Sequence, residues 1–350
     1  MSYGISIILP TARTSKESII EQPYLNMLEM TVNCLIKQTF QDFEFIIVDA
    51  LHETRDFPFH LIPFPFKHVP VHENHRFWLD KKRWNVAGCL NTGLLHAEGE
   101  LIVRIDDCSE FETTFLERIW EAYQSDLWLQ AMHIRFFKGR PAKYDDEYRE
   151  KGYEARYALM VTEEERFDVL NRIYGENGII RDTRYETVKK EGGTMIAPYQ
   201  WMYGYSTFTL EAILKVNGFD ELFDGDKSLE DQDCGSRLDL SGYKNKFLLD
   251  VSHQVIEHEH EPIPETIISR NVPNIKCNYA VYLLNRMRNR WKANTVKLTE
   301  EDIEFIRKES LKPPCSPKPN FYVDDCKGEL FDLWVKNQNI FDLREERLGI

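Results

Sequence analysis

Two short acidic clusters about 120 residues apart are the residues of this chain best suited to chemistry. The first is Ile105-Asp106-Asp107-Cys108, which follows the apolar run Leu101-Ile102-Val103. The second is Glu230-Asp231-Gln232-Asp233, with His258-Glu259-His260 further on. An apolar strand that ends in carboxylates sets them at the carboxyl edge of a sheet, where open α/β folds bind ligands. Carboxylates at such an edge hold a hard cation against a phosphate, or they accept a proton. Having both clusters suggests an enzyme that does both. Paired carboxylates after a buried strand repel one another without a cation, which favours a site at Asp106-Asp107 over a capped turn. For Glu230, Asp231 and Asp233 the plain alternative is a helix N-terminus, which acidic residues favour through the dipole.

The elements that must position these clusters read as alternating strand and helix. Ile5 to Leu9 is an apolar strand stopped by Pro10, and Phe43 to Val48 is a second, ending at Asp49. Between them Pro23 suits a first helical turn, and Leu28, Val32, Leu35 and Ile36 repeat at helical spacing. Residues 56–70 hold several prolines and read as loop with one short strand. A helix is expected over Asn85 to Ala97, a strand over Leu101 to Ile105, and a helix from Phe115 to about Ser125 capped by Thr113 or Thr114. Further helices are expected over Thr209 to Val216, ending in Asn217-Gly218, over Leu229 to Ser241, and over Asn278 to Lys292. Lys246 to Val251 reads as a strand. Continuous apolar strands with helices between them imply an α/β fold with a mostly parallel sheet covered on both faces. Residues 136–204, rich in charge and tyrosine, read as an inserted helical and loop segment on the acceptor side, a surface excursion or a flap. The main domain spans 1–292 and a C-terminal helical extension 293–350. That extension has one helix capped at Thr299, a proline-rich turn at 313–319 and a last helix at Glu329 to Lys336.

Composition narrows the classes. The chain has 350 residues, 42% of them hydrophobic, enough for a sizeable core. A net charge of −14 argues against a general nucleic-acid binder, because phosphate backbones need clustered Lys and Arg. No apolar run approaches the roughly 18 residues of a membrane span, and Met1-Ser2-Tyr3-Gly4 lacks the pattern of a signal peptide. Seven cysteines without CxxC spacing favour reduced thiols and a cytoplasmic location. The basic stretch Arg286 to Lys292 could touch a membrane peripherally, although a solvated face is the plainer reading.

Several segments in order resemble glycosyltransferase family 2 enzymes with the GT-A fold. These are Ile5 to Thr11; Leu35 to Phe40 with Gln38-Thr39; Phe43 to Asp49; Asn91-Thr92-Gly93; Ala97 to Glu100; and Ile105-Asp106-Asp107, where the family carries its metal-binding DxD motif. Asn217-Gly218-Phe219-Asp220-Glu221, then Glu230-Asp231-Gln232-Asp233 and Arg237-Leu238, resemble the acceptor-side half. Val255-Ile256-Glu257-His258 with Glu261-Pro262 is similar to a C-terminal motif of related galactosyltransferases, in which a histidine binds the metal. The sequence departs from the pattern at Ala50-Leu51 after Asp49, at Leu90, where an Arg is usual, and at Cys108, where the last DxD carboxylate is usual. A thiolate is a soft ligand, whereas Mn²⁺ and Mg²⁺ prefer oxygen, so Asp106, Asp107 and Glu110 are all candidate ligands.

The resemblance implies a Rossmann-like, mostly parallel central sheet flanked by helices. It also implies transfer of a sugar from a nucleotide-sugar donor, UDP-linked, to an acceptor hydroxyl of a glycan, a lipid-linked carrier or a protein. By resemblance, Pro10, Thr11, Arg13, Asp49, Asn91 and Asp106 bind the nucleotide. Asp106, Asp107 and His258 hold Mn²⁺ or Mg²⁺ against the leaving diphosphate, with His260 a weaker candidate. Asp231 is the general base of an inverting attack and Glu230 orients the acceptor. Trp201, Tyr203 and Tyr205 could stack on a sugar, although aromatics so close together are more often core. Alternatives are a non-catalytic sugar- or partner-binding relative, and less so a sugar-nucleotide pyrophosphorylase, since Pro10 to Lys16 has basic residues but no glycine. A dehydrogenase is poorly supported without a GxGxxG motif.

Overall fold

The computed structural model describes residues 3–13, 18–19, 22–123, 127–130, 133–136, 179–181, 190, 194–197, 202, 204–226, 229–248, 255–258, 275–310 and 338–349. Fourteen strands are defined: β1 (Ile5–Thr11), β2 (Ser18–Ile19), β3 (Gln22–Asn26), β4 (Phe43–Asp49), β5 (Phe66–Pro70), β6 (Leu101–Arg104), β7 (Ser109–Phe111), β8 (Leu127–Gln130), β9 (His133–Phe136), β10 (Ile179–Arg181), β11 (Thr194–Ala197), β12 (Ser206–Thr209), β13 (Lys244–Leu248) and β14 (Val255–His258). The described helices are α1 (Met27–Ile36), α2 (Phe77–Asp80), α3 (Val86–His96), α4 (Phe115–Ala122), α5 (Leu210–Lys215), α6 (Glu230–Leu240), α7 (Ile275–Met287), α8 (Glu300–Ser310) and α9 (Ile340–Leu348).

Among the described residues the central sheet has eight strands, in the order β11-β13-β8-β12-β6-β1-β4-β5. Four of its seven pairings are parallel, namely β1 with β4, β1 with β6, β4 with β5, and β13 with β8. This is the Rossmann-like, mostly parallel α/β sheet expected. β12 enters antiparallel between β6 and β8, and a smaller sheet runs β10-β9-β14-β7. Alternation along the strands sorts the core into two layers. Ile5, Ile7, Leu9, Phe45, Ile47 and Val103 pack with Leu28, Val32 and Leu35 of α1 and with Phe115, Leu116 and Ile119 of α4. Ile8, Ile46, Val48 and Ile102 pack on the other face with α3, α5, Cys234 and Leu238 of α6, and Ile340 of α9. A third cluster joins Trp78, Leu222 and Phe223 to α7 and to Ile306 of α8.

The structure corrects several local readings. Pro10 does not stop its strand; it pairs in register with Val48. Ile105 donates to Ile8 O, so Pro10, two residues on, faces the side where β6 has already ended, and its missing N–H costs no ladder bond. Pro23 lies in β3, and helix α1 begins only at Met27. Thr114 occupies the N-cap position of α4 without a side-chain bond. The segment read as helix and loop contributes strands β10 and β11. α7 stops at Met287, so Arg288, Arg290 and Lys292 lie beyond it. Cys277 is disulfide-bonded, against the expectation of wholly reduced thiols, whereas Cys34, Cys89, Cys108 and Cys234 are not in disulfides. The proline-rich turn and the helix expected at Glu329 to Lys336 lie outside the described residues. Among the described residues no helix is long and apolar enough to cross a membrane.

Candidate active site

The first acidic cluster follows β6 at the carboxyl edge of the sheet. There Asp107 is buried, and both its oxygens are engaged by the end of β1 and the residues after it. Thr11 Oγ1 donates to Oδ2 at 2.8 Å and Arg13 Nε to Oδ1 at 2.7 Å. Asp106 is less buried, and its backbone carbonyl accepts from Ser109 Oγ at 2.6 Å, which fixes the turn into β7. A Cβ on Gly204 would lie 2.7 Å from Asp106 Oδ2, so glycine there lets the backbone pass close to that carboxylate.

The second cluster opens α6. Leu229, at the N-cap position, has φ 77°, in the left-handed region. A non-glycine residue held there costs about 1–3 kcal/mol and tends to mark functional positions. Glu230 is buried, and its Oε1 lies 3.4 Å from Arg104 Nη2. Asp231 is partly buried and accepts at 2.7 Å from the backbone N–H of Gln232. Burial raises its carboxyl well above the usual range, to about 7; the Glu230 charge adds to this and Arg104 opposes it.

Arg104 is the residue that brings the two clusters together. It is the last residue of β6, is buried, and shares its face of the sheet with Ile102. Burial opposes its charge, but the carboxylates of Asp106, Glu230 and Asp231 outweigh that and hold the guanidinium above its ordinary pKa. The guanidinium carbon lies 5.5 Å from the centre of the Phe219 ring. Its Nε and Nη1 find no hydrogen-bond partner among the described residues. Sequence reasoning passed over Arg104. Its signal was a lone cation inside the run Leu101-Ile102-Val103-Arg104-Ile105.

A scaffold behind this face holds α6 in place. Asn217 (φ 60°) and Gly218 (φ 71°) form a left-handed turn after α5. The Asn217 amide donates to the carbonyls of Ala293 and Gln338 and accepts from the Ile340 N–H. Arg237 of α6 reaches back to the carbonyls of Val216 and Gly218 and pairs with Asp233 at 2.7 Å. Asp224 accepts from the N–H groups of Ala87 and Gly88 at the start of α3. The motif from Asn217 to Glu221 is thus built into the frame.

Two residues assigned to the nucleotide are in the frame as well. Asn91 is fully buried; its Nδ2 donates to Phe219 O and Glu221 Oε1 and its Oδ1 accepts from Phe219 N, so its amide is not open to a nucleotide. Asp49 has a fully buried carboxylate that accepts from Arg55 at 2.7 and 2.8 Å and from Leu51 N at 2.8 Å, and lies 2.9 Å from His68 Nε2. Burial would raise its pKa, but these partners hold it down at about 2. Pro10 stays partly exposed at the sheet edge. Tyr205 is buried in the core with β1 and β6, as the plain reading had it. Trp201, Tyr203, Glu259 and His260 lie outside the described residues.

The metal set fits less well. Asp107 already has a guanidinium against it. No group of three His, Cys, Asp or Glu residues converges closely enough to hold a cation among the described residues. The register of β14 on β7, Ile256 with Glu110 and Glu257 with Ser109, leads His258 toward the Asp106–Cys108 turn. Cys108 is buried beside them. Among the described residues, Asp106 and Asp107 do not by themselves make a cation site.

No family model matches this sequence, and no curated protein matches it. Among solved structures the chain is similar to mannosyltransferase PcManGT from Pyrobaculum calidifontis in complex with GDP-Man and Mn²⁺, with 14% identity, a TM-score of 0.43 and coverage of 83% of this chain and 64% of that one. It is also similar to S. aureus TarS 1-349 in complex with UDP-GlcNAc, with 16% identity, a TM-score of 0.46 and coverage of 87% and 71%. Against S. aureus TarS the values are 12%, 0.44, 87% and 42%. The chain thus spans less than two thirds of the first and third of these proteins. Identities and TM-scores this low carry no function across.

Proposed function

We propose that this protein is a glycosyltransferase that moves a sugar from a nucleotide-sugar donor, UDP-linked, to an acceptor hydroxyl with inversion. The observation that carries this reading is the meeting of the two acidic clusters at Arg104, with the Asp231 carboxyl held at about 7. A general base works best when its pKa lies near the working pH. Asp231 takes the acceptor hydroxyl's proton as that oxygen bonds to the anomeric carbon. The bond from that carbon to the diphosphate breaks, and the nucleoside diphosphate leaves. Glu230, fixed by Arg104, orients the acceptor. Thr11, Arg13 and Asp106 at the β1 and β6 edge face the nucleotide in this reading, and Arg13 supplies positive charge to the departing phosphates. Mn²⁺ or Mg²⁺ enters this proposal through the sequence resemblance alone. Purified protein should release UDP from a UDP-sugar when an acceptor is supplied; Asp231→Asn protein should bind the donor and release UDP about 10²–10⁴-fold more slowly.

A second reading is a non-catalytic sugar-binding protein on the same fold. The internal engagement of Asp49, Asn91 and Asp107 favours it. It predicts donor binding with neither transfer nor slow donor hydrolysis, including in the presence of Mn²⁺.

A further inference from the structure

We infer that residues 286–297, the end of α7 and the turn after it, form a docking surface for a membrane rich in anionic lipid. The inference does not depend on the transferase reading. Arg286, Arg288, Arg290, Lys292 and Lys297 fall in this stretch with no acidic residue among them, in a chain of net charge −14. Large apolar side chains stand out between the cations: Met287 is 67% exposed, Trp291 43% and Val296 59%. The opposite face of α7 is committed to the core, where Cys277, Ala280, Val281 and Leu284 pack with Trp78, Leu222 and Phe223. The exposed end therefore cannot turn inward.

The turn is built to hold these groups outward. Arg290 donates to Asn285 Oδ1 and to Val296 O, closing the loop that carries Trp291. Lys292 Nζ lies 5.0 Å from the centre of the Trp291 ring. Arg288 shares its charge with Asp302 at 3.1 Å and Glu301 at 3.6 Å, and Arg286 lies over the Tyr282 ring at 5.7 Å. Lys292 and Lys297 are exposed and have no carboxylate partner among the salt bridges of the described residues. Cations that can meet phosphates, with Trp, Met and Val between them to enter the headgroup boundary, are the pattern of an interfacial segment. Charge complementarity selects the anionic surface. The chain's net charge of −14 opposes binding by its acidic surfaces, so this patch sets the orientation. Asn285 of the same helix donates to Asp220 Oδ2 and Asp233 Oδ1, which ties the patch to the helix that carries Asp231.

The test is sedimentation of the full chain with vesicles of phosphatidylcholine alone and of an equal mixture with phosphatidylglycerol. The protein should pellet with the mixture, stay in solution with phosphatidylcholine, and be released by salt. Each cation near such a surface contributes about fivefold in binding, so Lys292→Glu with Lys297→Glu should weaken it on the order of 25-fold or more. Trp291→Ser with Met287→Ser should weaken it as well, with unchanged circular dichroism. No pelleting with the mixture, equal pelleting with neutral vesicles, or a charge-reversed variant that binds like the wild type overturns the inference. So does concentration-dependent self-association, or nucleic-acid binding, that is lost in the same variant without any vesicle binding.

Discussion

Asp231→Asn separates a catalytic carboxylate from one that merely suits a helix start, because the two roles predict opposite changes in stability. The Asp231 carboxyl is raised from 3.8 to about 7, first by burial and then by Glu230. Between those values the folded chain binds the proton more tightly than the unfolded chain, so stability falls as pH rises through this window. The rise from 3.8 to about 7 corresponds to about 4 kcal/mol by pH 8. Asp231 is partly exposed, and solvent screening trims this, leaving an expected gain of about 2 kcal/mol for the Asn variant at pH 8. Urea unfolding at pH 5 and pH 8 should show the wild type losing stability with pH and the variant losing less. Turnover in the same variant should fall about 10²–10⁴-fold with donor affinity kept, and the acidic limb of the wild-type kcat/KM profile, near pH 7, should vanish. A carboxylate acting only on the helix dipole would make the Asn variant less stable at pH 8, by up to about 1 kcal/mol, with near-normal turnover. That pair of results would refute both the base and the electrostatic reasoning behind it.

Asn91→Ala should destabilise by about 3 kcal/mol, since it strands several buried partners on Phe219 and Glu221. A rise in donor Kd without a loss in urea midpoint would return Asn91 to the nucleotide site. Arg55→Met should cost about 3–5 kcal/mol at pH 7, because it leaves the Asp49 charge buried with only His68 and Leu51 N. Asp49 has a lowered pKa, so its contribution is present above the ordinary carboxylate range and lost as pH falls toward 2; the stability deficit of Arg55→Met should therefore narrow as pH falls through that range. Asp107→Ala should weaken donor binding by releasing Arg13, equally with Mn²⁺ and with chelator. A calorimetric loss confined to Mn²⁺ buffer would restore Asp107 as a cation ligand.

What could be read from the sequence follows the range of the interactions. β1, β4 and β6 were legible because each is a continuous apolar run buried on both faces, and such runs have few alternatives. α5 and α6 were legible from Asn217-Gly218, Thr209 and the acidic turn at Glu230, all local signals. Pro10 and Pro23 were misread because a local rule was applied where the neighbouring strand decides: β6 ends before Pro10 and so leaves its nitrogen unopposed. β10 and β11 take their partners from β9 and β13, and no local pattern announces a pairing across that distance. The same limit governs the site. Asn91 and Asp49 were taken for ligand contacts because they stand at motif positions, yet Asn91 bonds to residues about 130 positions away, and nothing near it in sequence shows that its amide is already spent. Arg104 illustrates the converse. A buried cation must be answered by carboxylates, and an isolated arginine in an apolar strand has none beside it on that strand. The two acidic clusters supply them, and nothing local to Arg104 says which of the chain's 58 acidic residues would do so.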